Sequence, residues 1–376
     1  MNEDQARFLP VAEPDLGTLE EQYLLDAFHS GWISSIGAYI GRFEQAFSNF
    51  CGVEYGIAVS NGTVAIHLAL LSGGVKPGDE VIVPTLTFVA TASAVKYIGA
   101  EPVFVESEPE IGTMNPIAVE KAITSRTKAV IPVHLYGHPA DMDPIVEIAR
   151  QHGLFVIEDA AEAHGAKYKG KMVGSIGHCA TFSFYGNKIL TTGEGGMVVT
   201  NDKTLTDRIR FLKDHAMDPN RRYWHPEVGF NYRMTNLQAA IGCAQVARFD
   251  DLILRRKRIL ELYRKAFSDK LEILINPSRT WATPVPWFVC ALLPKGTTHV
   301  QRDSLMERLK EKGIDSRPYF YPLCNMPPYT YCRKVGIKEN GLPVAEDLSV
   351  RGMILPSVTW LSHEPATRIA PLFQDI

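Results

Sequence analysis

Between residues 55 and 200, short apolar runs alternate with amphipathic segments, and this alternation restricts the fold more than any other feature of the chain. Runs such as DEVIVP (79–84), EPVFVE (101–106) and LFVIED (154–159) have the length and composition of fully buried strands. The segments between them carry apolar residues at helical spacing. Buried strands separated by helices are typical of a mostly parallel sheet covered on both faces, so we predict an α/β fold.

The chain after residue 235 has a different organisation. Residues 236–267 predict one long helix, straight or kinked, and shorter strand and helix patterns follow it. A chain of 376 residues is long enough for two domains. We therefore predict a large α/β domain over residues 1–250, which includes an N-terminal helix, and a small C-terminal α/β domain over residues 251–376.

Composition argues against several classes of partner. The 39 basic and 42 acidic residues give a net charge of −3 without a basic stripe, so we expect no binding to nucleic acid or membranes. No apolar run approaches the ~18 residues of a membrane span. The acidic N-terminal segment (1–17) lacks the apolar core of a secretory signal, and the six cysteines show no CxxC spacing. These features predict a cytoplasmic protein with reduced thiols.

Two polar features follow predicted strands, where open α/β sheets bind their ligands. The segment SNGT (60–63) joins a strand to a helix, and its small residues suit either an anion site or an ordinary N-terminal cap. Glu158 and Asp159 end an apolar strand, so one of them points inward or pairs, unless the pair only caps the next helix.

Two other segments have plainer interpretations. HLYGH (134–138) has the spacing of a metal-binding histidine pair, but Gly137 and Pro139 disfavour a helix there, so we predict no metal site. GFNYRMTN (229–236) precedes the long helix, and Thr235 or Asn236 suits its N-terminal cap.

Lys188 lies in a tight glycine- and threonine-rich loop between two predicted strands. Most loop lysines are solvated, and that interpretation stays open. A lysine held at a strand end and partly desolvated has a lowered pKa and becomes an amine nucleophile. A Schiff base between Lys188 and pyridoxal phosphate would explain the lysine, the strand-end acid and the anion site together.

Five ordered motifs between residues 60 and 242 resemble the DegT/DnrJ/EryC1/StrS family of sugar aminotransferases, and the resemblance runs from about residue 8 to about residue 360. They are SNGTVAIHLAL, GDEVIVPTLTFVATASAV, VIEDAAEAHGAKYKGKMVGSIG, TFSFYGNKILTTGEGGMVVT and GFNYRMTNLQAAIG. The resemblance implies a fold-type-I enzyme whose large domain binds pyridoxal 5'-phosphate and whose substrates are nucleotide-linked keto sugars.

The resemblance also implies roles for single residues. Lys188 matches the lysine that carries the cofactor and then moves the proton, and Asp159 matches the acid on the pyridine nitrogen. Because dehydratase members have histidine in place of this lysine, Lys188 favours transamination. The other matches are Phe88 stacked on the ring, Gly62, Thr63 and Ser183 around the phosphate, and Glu162 beside the cofactor. Asn231 matches an asparagine that reaches the cofactor of the neighbouring subunit, which implies a homodimer with shared active sites.

Three further segments, WISSIG (32–37), MDPNRRYW (217–224) and SRPYFYPLCNMPPY (316–329), resemble members that aminate C4 of GDP-4-keto-6-deoxy-mannose with L-glutamate as donor. The same chemistry on a UDP- or dTDP-linked 4-keto or 3-keto sugar is the alternative. A regulatory protein that keeps the fold without catalysis is a further alternative, which the presence of Lys188 and Asp159 disfavours.

Overall fold

The computed structural model describes residues 8–336 and 341–374, so the first seven residues of the acidic N-terminal segment lie outside it. None of the helices in these two ranges is long and apolar enough to cross a lipid bilayer. The α-helices in these ranges are α1 Thr18–His29, α2 Ala38–Cys51, α3 Gly62–Ser72, α4 Ala90–Tyr97, α5 Pro116–Ala122, α6 Met142–His152, α7 Lys203–Lys213, α8 Asn236–Ala247, α9 Phe249–Ala266, α10 His299–Glu311 and α11 Pro343–Arg351.

The strands form one large sheet and two small ones. The large sheet has the order β1-β9-β8-β5-β4-β2-β3-β14, in which only β9 runs antiparallel to its neighbours. Its strands are β1 Tyr55–Val59, β2 Glu80–Pro84, β3 Glu101–Val105, β4 Thr127–Val130, β5 Phe155–Asp159, β8 Cys179–Ser183, β9 Gly196–Thr200 and β14 Lys334–Val335. The predicted α/β fold with a mostly parallel mixed sheet is confirmed.

Successive residues of the central strands point into different cores, as the pleat of a strand requires. Val81 and Val83 belong to the core that includes residues of α3 and α4, whereas Ile82 packs with residues of α5 and α6. Helix α3 is apolar around most of its circumference, and it is buried against β8 and β9. Both faces of the sheet are therefore covered, and the carboxyl ends of its parallel strands meet at one edge.

The C-terminal part of the chain builds a second, antiparallel sheet of order β10-β12-β15-β13. Its strands are β10 Leu274–Ile275, β12 Val289–Leu292, β13 Arg317–Pro318 and β15 Gly352–Leu355, while β6 Lys167–Tyr168, β7 Lys171–Met172 and β11 Ala282–Thr283 form the third sheet. Side chains of α9 and α10 pack in a separate core beside the second sheet.

The predicted long helix 236–267 is present as α8 and α9, which Arg248 separates with φ −97° and ψ 6°. The predicted boundary at residues 250/251 falls inside α9, and β14 of the C-terminal part pairs with β3 of the large sheet. The division into two domains stays a prediction. Helix α2 was missed, although its Phe43 and Phe47 are fully buried.

Candidate active site

A cleft of about 680 Å³ opens at the carboxyl ends of the parallel strands. Its walls come from the large sheet, from the N-terminus of α3 and from the second sheet. The structure brings seven of the eight predicted site residues to this cleft: Gly62, Thr63, Phe88, Asp159, Glu162, Ser183 and Lys188. A volume of this size suits a cofactor with part of its substrate.

Lys188 is held in the loop between β8 and β9. Its backbone N–H donates to the Tyr185 carbonyl at 2.9 Å, and its Nζ lies 3.7 Å from the centre of the Trp287 ring. Burial lowers the pKa of Lys188, while the carboxyl groups of Glu162 and Asp159 oppose this shift. The amine forms no hydrogen bond or ion pair with the residues that the structure describes, so it is a cleft amine rather than a solvated loop lysine.

Asp159 ends β5 and is almost completely buried. Its Oδ2 accepts a hydrogen bond from the Thr91 hydroxyl at 2.8 Å, and its Oδ1 accepts one from the Ala161 N–H at 3.2 Å. Burial raises the pKa of Asp159, whereas the two hydrogen bonds and the charge of Lys188 lower it. The carboxyl group is therefore fixed in orientation and faces the cleft.

The Glu162 side chain is held by the backbone of Tyr136, which was not predicted as a site residue. The Tyr136 N–H donates to Glu162 Oε2 at 2.7 Å, and Tyr136 itself has a positive φ of 51°. Burial raises the pKa of Glu162 to about 7, against the opposing effect of Lys188. The Tyr136 hydroxyl accepts the Phe320 N–H at 2.9 Å and thereby connects this wall to the second sheet's side of the cleft.

The N-terminus of α3 fits both interpretations of the SNGT segment, the N-terminal cap and the anion site. The Asn61 side chain caps the helix by accepting the Val64 N–H at 3.0 Å. The backbone N–H groups of Gly62 and Thr63 donate no hydrogen bond to any acceptor within residues 8–336 and 341–374. A Cβ atom on Gly62 would lie only 2.9 Å from the Ser183 Cβ, so glycine allows the close approach of helix and strand. Two free N–H groups at a helix start are suited to bind an anion.

Phe88 follows β2 and is 55% exposed, with its ring centre 6.0 Å from that of Phe320. Phe320, Trp287 and Arg317 line the cleft from the C-terminal part of the chain. Arg317 and Phe320 lie in the segment SRPYFYPLCNMPPY (316–329), which the resemblance connects with the sugar substrate without giving either residue a role in the site. Trp287 is distant in sequence from every motif of the large sheet, and no local pattern predicts it as a site residue.

Asn231 is the predicted site residue that the structure does not bring to the cleft. It is exposed, and its Oδ1 accepts a hydrogen bond from Arg233 Nε at 3.2 Å. A short backbone bridge joins it to Asp214 near the end of α7. Asn231 is therefore available to another molecule.

The remaining strand-end groups have structural roles. Glu158 is fully buried and accepts hydrogen bonds from the N–H groups of Gly174 and Gly177, and it pairs with His134 at 3.0 Å. His138 instead bonds to the Pro139 carbonyl at 2.8 Å, so the two imidazoles do not share a site. Over residues 8–336 and 341–374, no group of three or more His, Cys, Asp or Glu side chains is arranged to hold a metal ion.

Comparison with known proteins agrees with this geometry. Residues 14–374 match the model of the DegT/DnrJ/EryC1/StrS aminotransferase family. The chain is 47% identical to GDP-perosamine synthase of Caulobacter vibrioides, with 98% of each chain covered, and 48% identical to GDP-perosamine synthase of Escherichia coli O157:H7, with 95% of each covered.

A crystal structure of a DegT DnrJ EryC1 StrS aminotransferase from Brucella abortus superposes with a TM-score of 0.86 at 32% identity, and the superposition covers 94% of each chain. This similarity extends over both the large sheet and the C-terminal part. The chain belongs to the DegT/DnrJ/EryC1/StrS aminotransferase family, has that family's fold and is a pyridoxal phosphate-dependent enzyme.

Proposed function

We propose that this enzyme moves the amino group of L-glutamate to C4 of GDP-4-keto-6-deoxy-D-mannose and so forms GDP-perosamine. The observation that carries the proposal is the near-full-length similarity to the two GDP-perosamine synthases. It is supported by the cleft, which keeps an unpaired amine at Lys188 and an oriented acid at Asp159.

The residues of the cleft fit pyridoxal phosphate. The free N–H groups of Gly62 and Thr63, together with the Ser183 hydroxyl, would hold its phosphate, and the exposed face of Phe88 would stack on its ring. Lys188 would carry the cofactor covalently. When bound, pyridoxal phosphate supplies a ring that accepts the electron pair released at the substrate carbon.

Asp159 would stabilise a proton on the ring nitrogen of the cofactor. The Thr91 hydroxyl and the Ala161 N–H hold its carboxylate in one orientation, and burial strengthens any ion pair that it forms with a cation in the cleft. A carboxylate placed in this way would keep a proton on the nitrogen by stabilising the positive charge.

Lys188 would serve as acid and base. Because burial lowers the pKa of its amine, a larger fraction of the free base is present near neutral pH than for a solvated lysine. Its Nζ is held in the cleft beside the Trp287 ring, where it would move a proton between the reacting substrate carbon and the cofactor. Glu162 faces the same space and holds a carboxylate beside this amine.

The amino donor and the keto sugar would use the cleft in turn, because a single lysine serves both half-reactions. L-glutamate would leave as 2-oxoglutarate before the nucleotide-linked sugar enters. Pocket walls made of Phe88, Trp287 and Phe320 would exclude water from the reacting atoms.

We also propose that the enzyme is a homodimer in which Asn231 of the partner subunit completes each site. Trp32, Ile33 and Ile36 are exposed apolar side chains between α1 and α2. Asn236 at the start of α8 donates to the Trp32 carbonyl at 2.7 Å, so this apolar segment lies beside the segment that carries Asn231. Such a cluster next to an exposed asparagine suits an interface between two copies of the chain.

Cytoplasmic location completes the proposal. The structure describes all six cysteines of the sequence, and each of them is a buried free thiol. Buried thiols without disulfides are typical of a reducing compartment.

The experiment offers the purified enzyme ¹⁵N-labelled L-glutamate together with one keto sugar at a time. GDP-4-keto-6-deoxy-D-mannose, a UDP-linked 4-keto sugar, and dTDP-linked 4-keto and 3-keto sugars form the panel, and Lys188→Ala is the inactive control. We expect ¹⁵N at C4 of the GDP-linked sugar, located by NMR. Transfer only to a UDP- or dTDP-linked sugar, or to a carbon other than C4, would overturn the proposed substrate.

A further inference from the structure

Trp287 is buried although it lines the cleft. Its exposed fraction is 3%, and it lies between β11 and β12 in the C-terminal part of the chain. The loop that carries Lys188 meets it at two points. The indole N–H donates to the Asn187 carbonyl at 2.8 Å, and Lys188 Nζ lies 3.7 Å from the centre of the ring. One side chain therefore contacts both the backbone before the lysine and the lysine amine.

The backbone of Trp287 is fixed from two sides. Arg256 of α9 is buried, and its Nη1 donates to the Trp287 carbonyl at 2.8 Å. In the turn after β4, Gly137 accepts the Val285 N–H at 3.0 Å. Gly137 has a positive φ of 88°, and a Cβ atom there would clash with the Val285 carbonyl oxygen, so glycine allows this close approach. The indole is therefore held against the large sheet.

The other groups around the Lys188 amine do not hold it in place. The charges of Glu162 and Asp159 raise its pKa against the effect of burial, but neither acid forms an ion pair with it within residues 8–336 and 341–374. His164 is neutral near pH 7, because burial and the charge of Lys188 lower its pKa to about 3. At 3.7 Å from the centre of the Trp287 ring, the amine lies over the ring face, where the π electrons attract a cation.

We propose that Trp287 is a positioning residue for Lys188, an inference that rests on the role of this lysine in the proposed function. The indole N–H fixes the backbone that precedes the lysine. The ring face holds the amine as a cation in the cleft while the amine is not bonded to the cofactor. The amine is thereby kept at one place for the proton transfer, instead of sampling the open part of the cleft.

Tryptophan is suited to both contacts at once. It has the most favourable ring face for a cation and an N–H group that only donates. Phenylalanine keeps a weaker ring face and has no donor, so Trp287→Phe leaves the Asn187 carbonyl without the indole N–H. A side chain that served only as an apolar wall of the cleft would need neither contact. The ring face and the N–H group can therefore be tested separately.

The first test measures the pKa of the Lys188 amine in the cofactor-free enzyme, so it depends on no substrate. The rate at which acetic anhydride modifies Lys188, followed by mass spectrometry at a series of pH values, gives this pKa. The enzyme is produced with ordinary tryptophan or with ring-fluorinated tryptophan, which attracts a cation less and has nearly the same shape. Trp287→Phe, produced in both ways, is the matched control, because it keeps the other tryptophans of the chain.

We expect fluorination to lower the pKa of the Lys188 amine by at least about 0.5 pKa units in the wild-type enzyme, because the charged form loses part of its attraction to the ring. Fluorination should leave this pKa unchanged in Trp287→Phe. An unchanged pKa in the fluorinated wild-type enzyme would overturn the inference. An equal change in both proteins would overturn it too, by assigning the effect to other tryptophans.

The second test compares the steady-state kinetics of cofactor-loaded wild type, Trp287→Phe and the control Trp281→Phe. Trp281 packs against Tyr168 and does not line the cleft. Trp287→Phe should lower kcat at least about tenfold and change the KM of each substrate less than about threefold, because a misplaced amine slows the proton transfer and not the binding. Trp281→Phe should match wild type.

A raised KM with an unchanged kcat in Trp287→Phe would overturn the inference, because it would assign Trp287 to substrate binding. Unchanged kcat and KM would overturn it as well. The proposed function fails by a different result: a cofactor bonded to a lysine other than Lys188 would refute the role of this lysine, whereas the pKa of its amine is measured without cofactor.

Discussion

Glu162→Gln tests whether the cleft holds a carboxyl group that is costly to ionise. Burial raises the pKa of Glu162 from 4.5 to about 7 in the folded protein. A raised acid pKa means that the unfolded chain loses its proton first, so the folded state loses stability as the pH rises from about 4.5 through 7. Glutamine cannot ionise, and its amide oxygen can still accept the Tyr136 N–H.

The magnitude follows from the size of the shift. A difference of about 2.5 pKa units corresponds to about 3 kcal/mol once both states are ionised, at about 1.4 kcal/mol per unit. At pH 8.5 the cofactor-free Glu162→Gln variant should therefore be more stable to unfolding than wild type by up to about 3 kcal/mol. At pH 5 the unfolded carboxyl group is only partly ionised, so the gain should be below about 1 kcal/mol.

Urea unfolding of cofactor-free wild type and variant at both pH values, at one protein concentration, gives the two differences in free energy. Glu272→Gln, a change of an exposed carboxylate away from the cleft, is the matched control and should give the same small difference at pH 5 and pH 8.5. A Glu162→Gln variant that gains no stability between pH 5 and pH 8.5, or loses it, would refute the reasoning.

Two further predictions concern the proposed roles of single residues. Asp159→Asn should retain bound cofactor, since the phosphate site is separate, but should lower the turnover rate at least a hundredfold, or about 3 kcal/mol, because the charge on the ring nitrogen is lost. A loss below tenfold in steady-state assays would show that another group does this work. Mixing inactive Lys188→Ala with inactive Asn231→Asp should restore activity toward half of wild type per mixed dimer, since one of its two sites is intact. No recovery after subunit exchange, verified by mass, would place Asn231 in its own subunit's site.

Local sequence signals were sufficient to predict most of the large sheet and the helices that cover it. Strands β2, β3 and β5 are continuous apolar runs, and α3 starts at an asparagine cap, so propensity, pattern and tertiary structure agree there. Because Lys188 and Asp159 come at or just after the ends of predicted strands, the sequence also predicted both residues at one edge of the sheet. Helix α2 was missed although Tyr39, Phe43 and Phe47 recur at helical spacing in its sequence, and it forms where Phe43 and Phe47 bury against Phe184.

The opposite wall of the cleft could not be derived from local patterns. Trp287 and Arg317 come from short strands or their flanks, and β13 is only two residues long. Tyr136 lies in a non-helical turn with positive φ, which is a property of the folded loop and not of its residue type. Which of these residues faces Lys188 depends on how the second sheet packs against the first.

The most direct test of the account is the location of the covalent link to the cofactor. Borohydride reduction of the purified enzyme fixes that link, and proteolysis with mass spectrometry then identifies the modified lysine. We expect the reduced cofactor on Lys188, in the peptide that spans TFSFYGNK, and no reducible link in Lys188→Ala. A reduced cofactor on any other lysine, or none on the wild-type enzyme after loading, would contradict the assignment of Lys188 as the reacting amine.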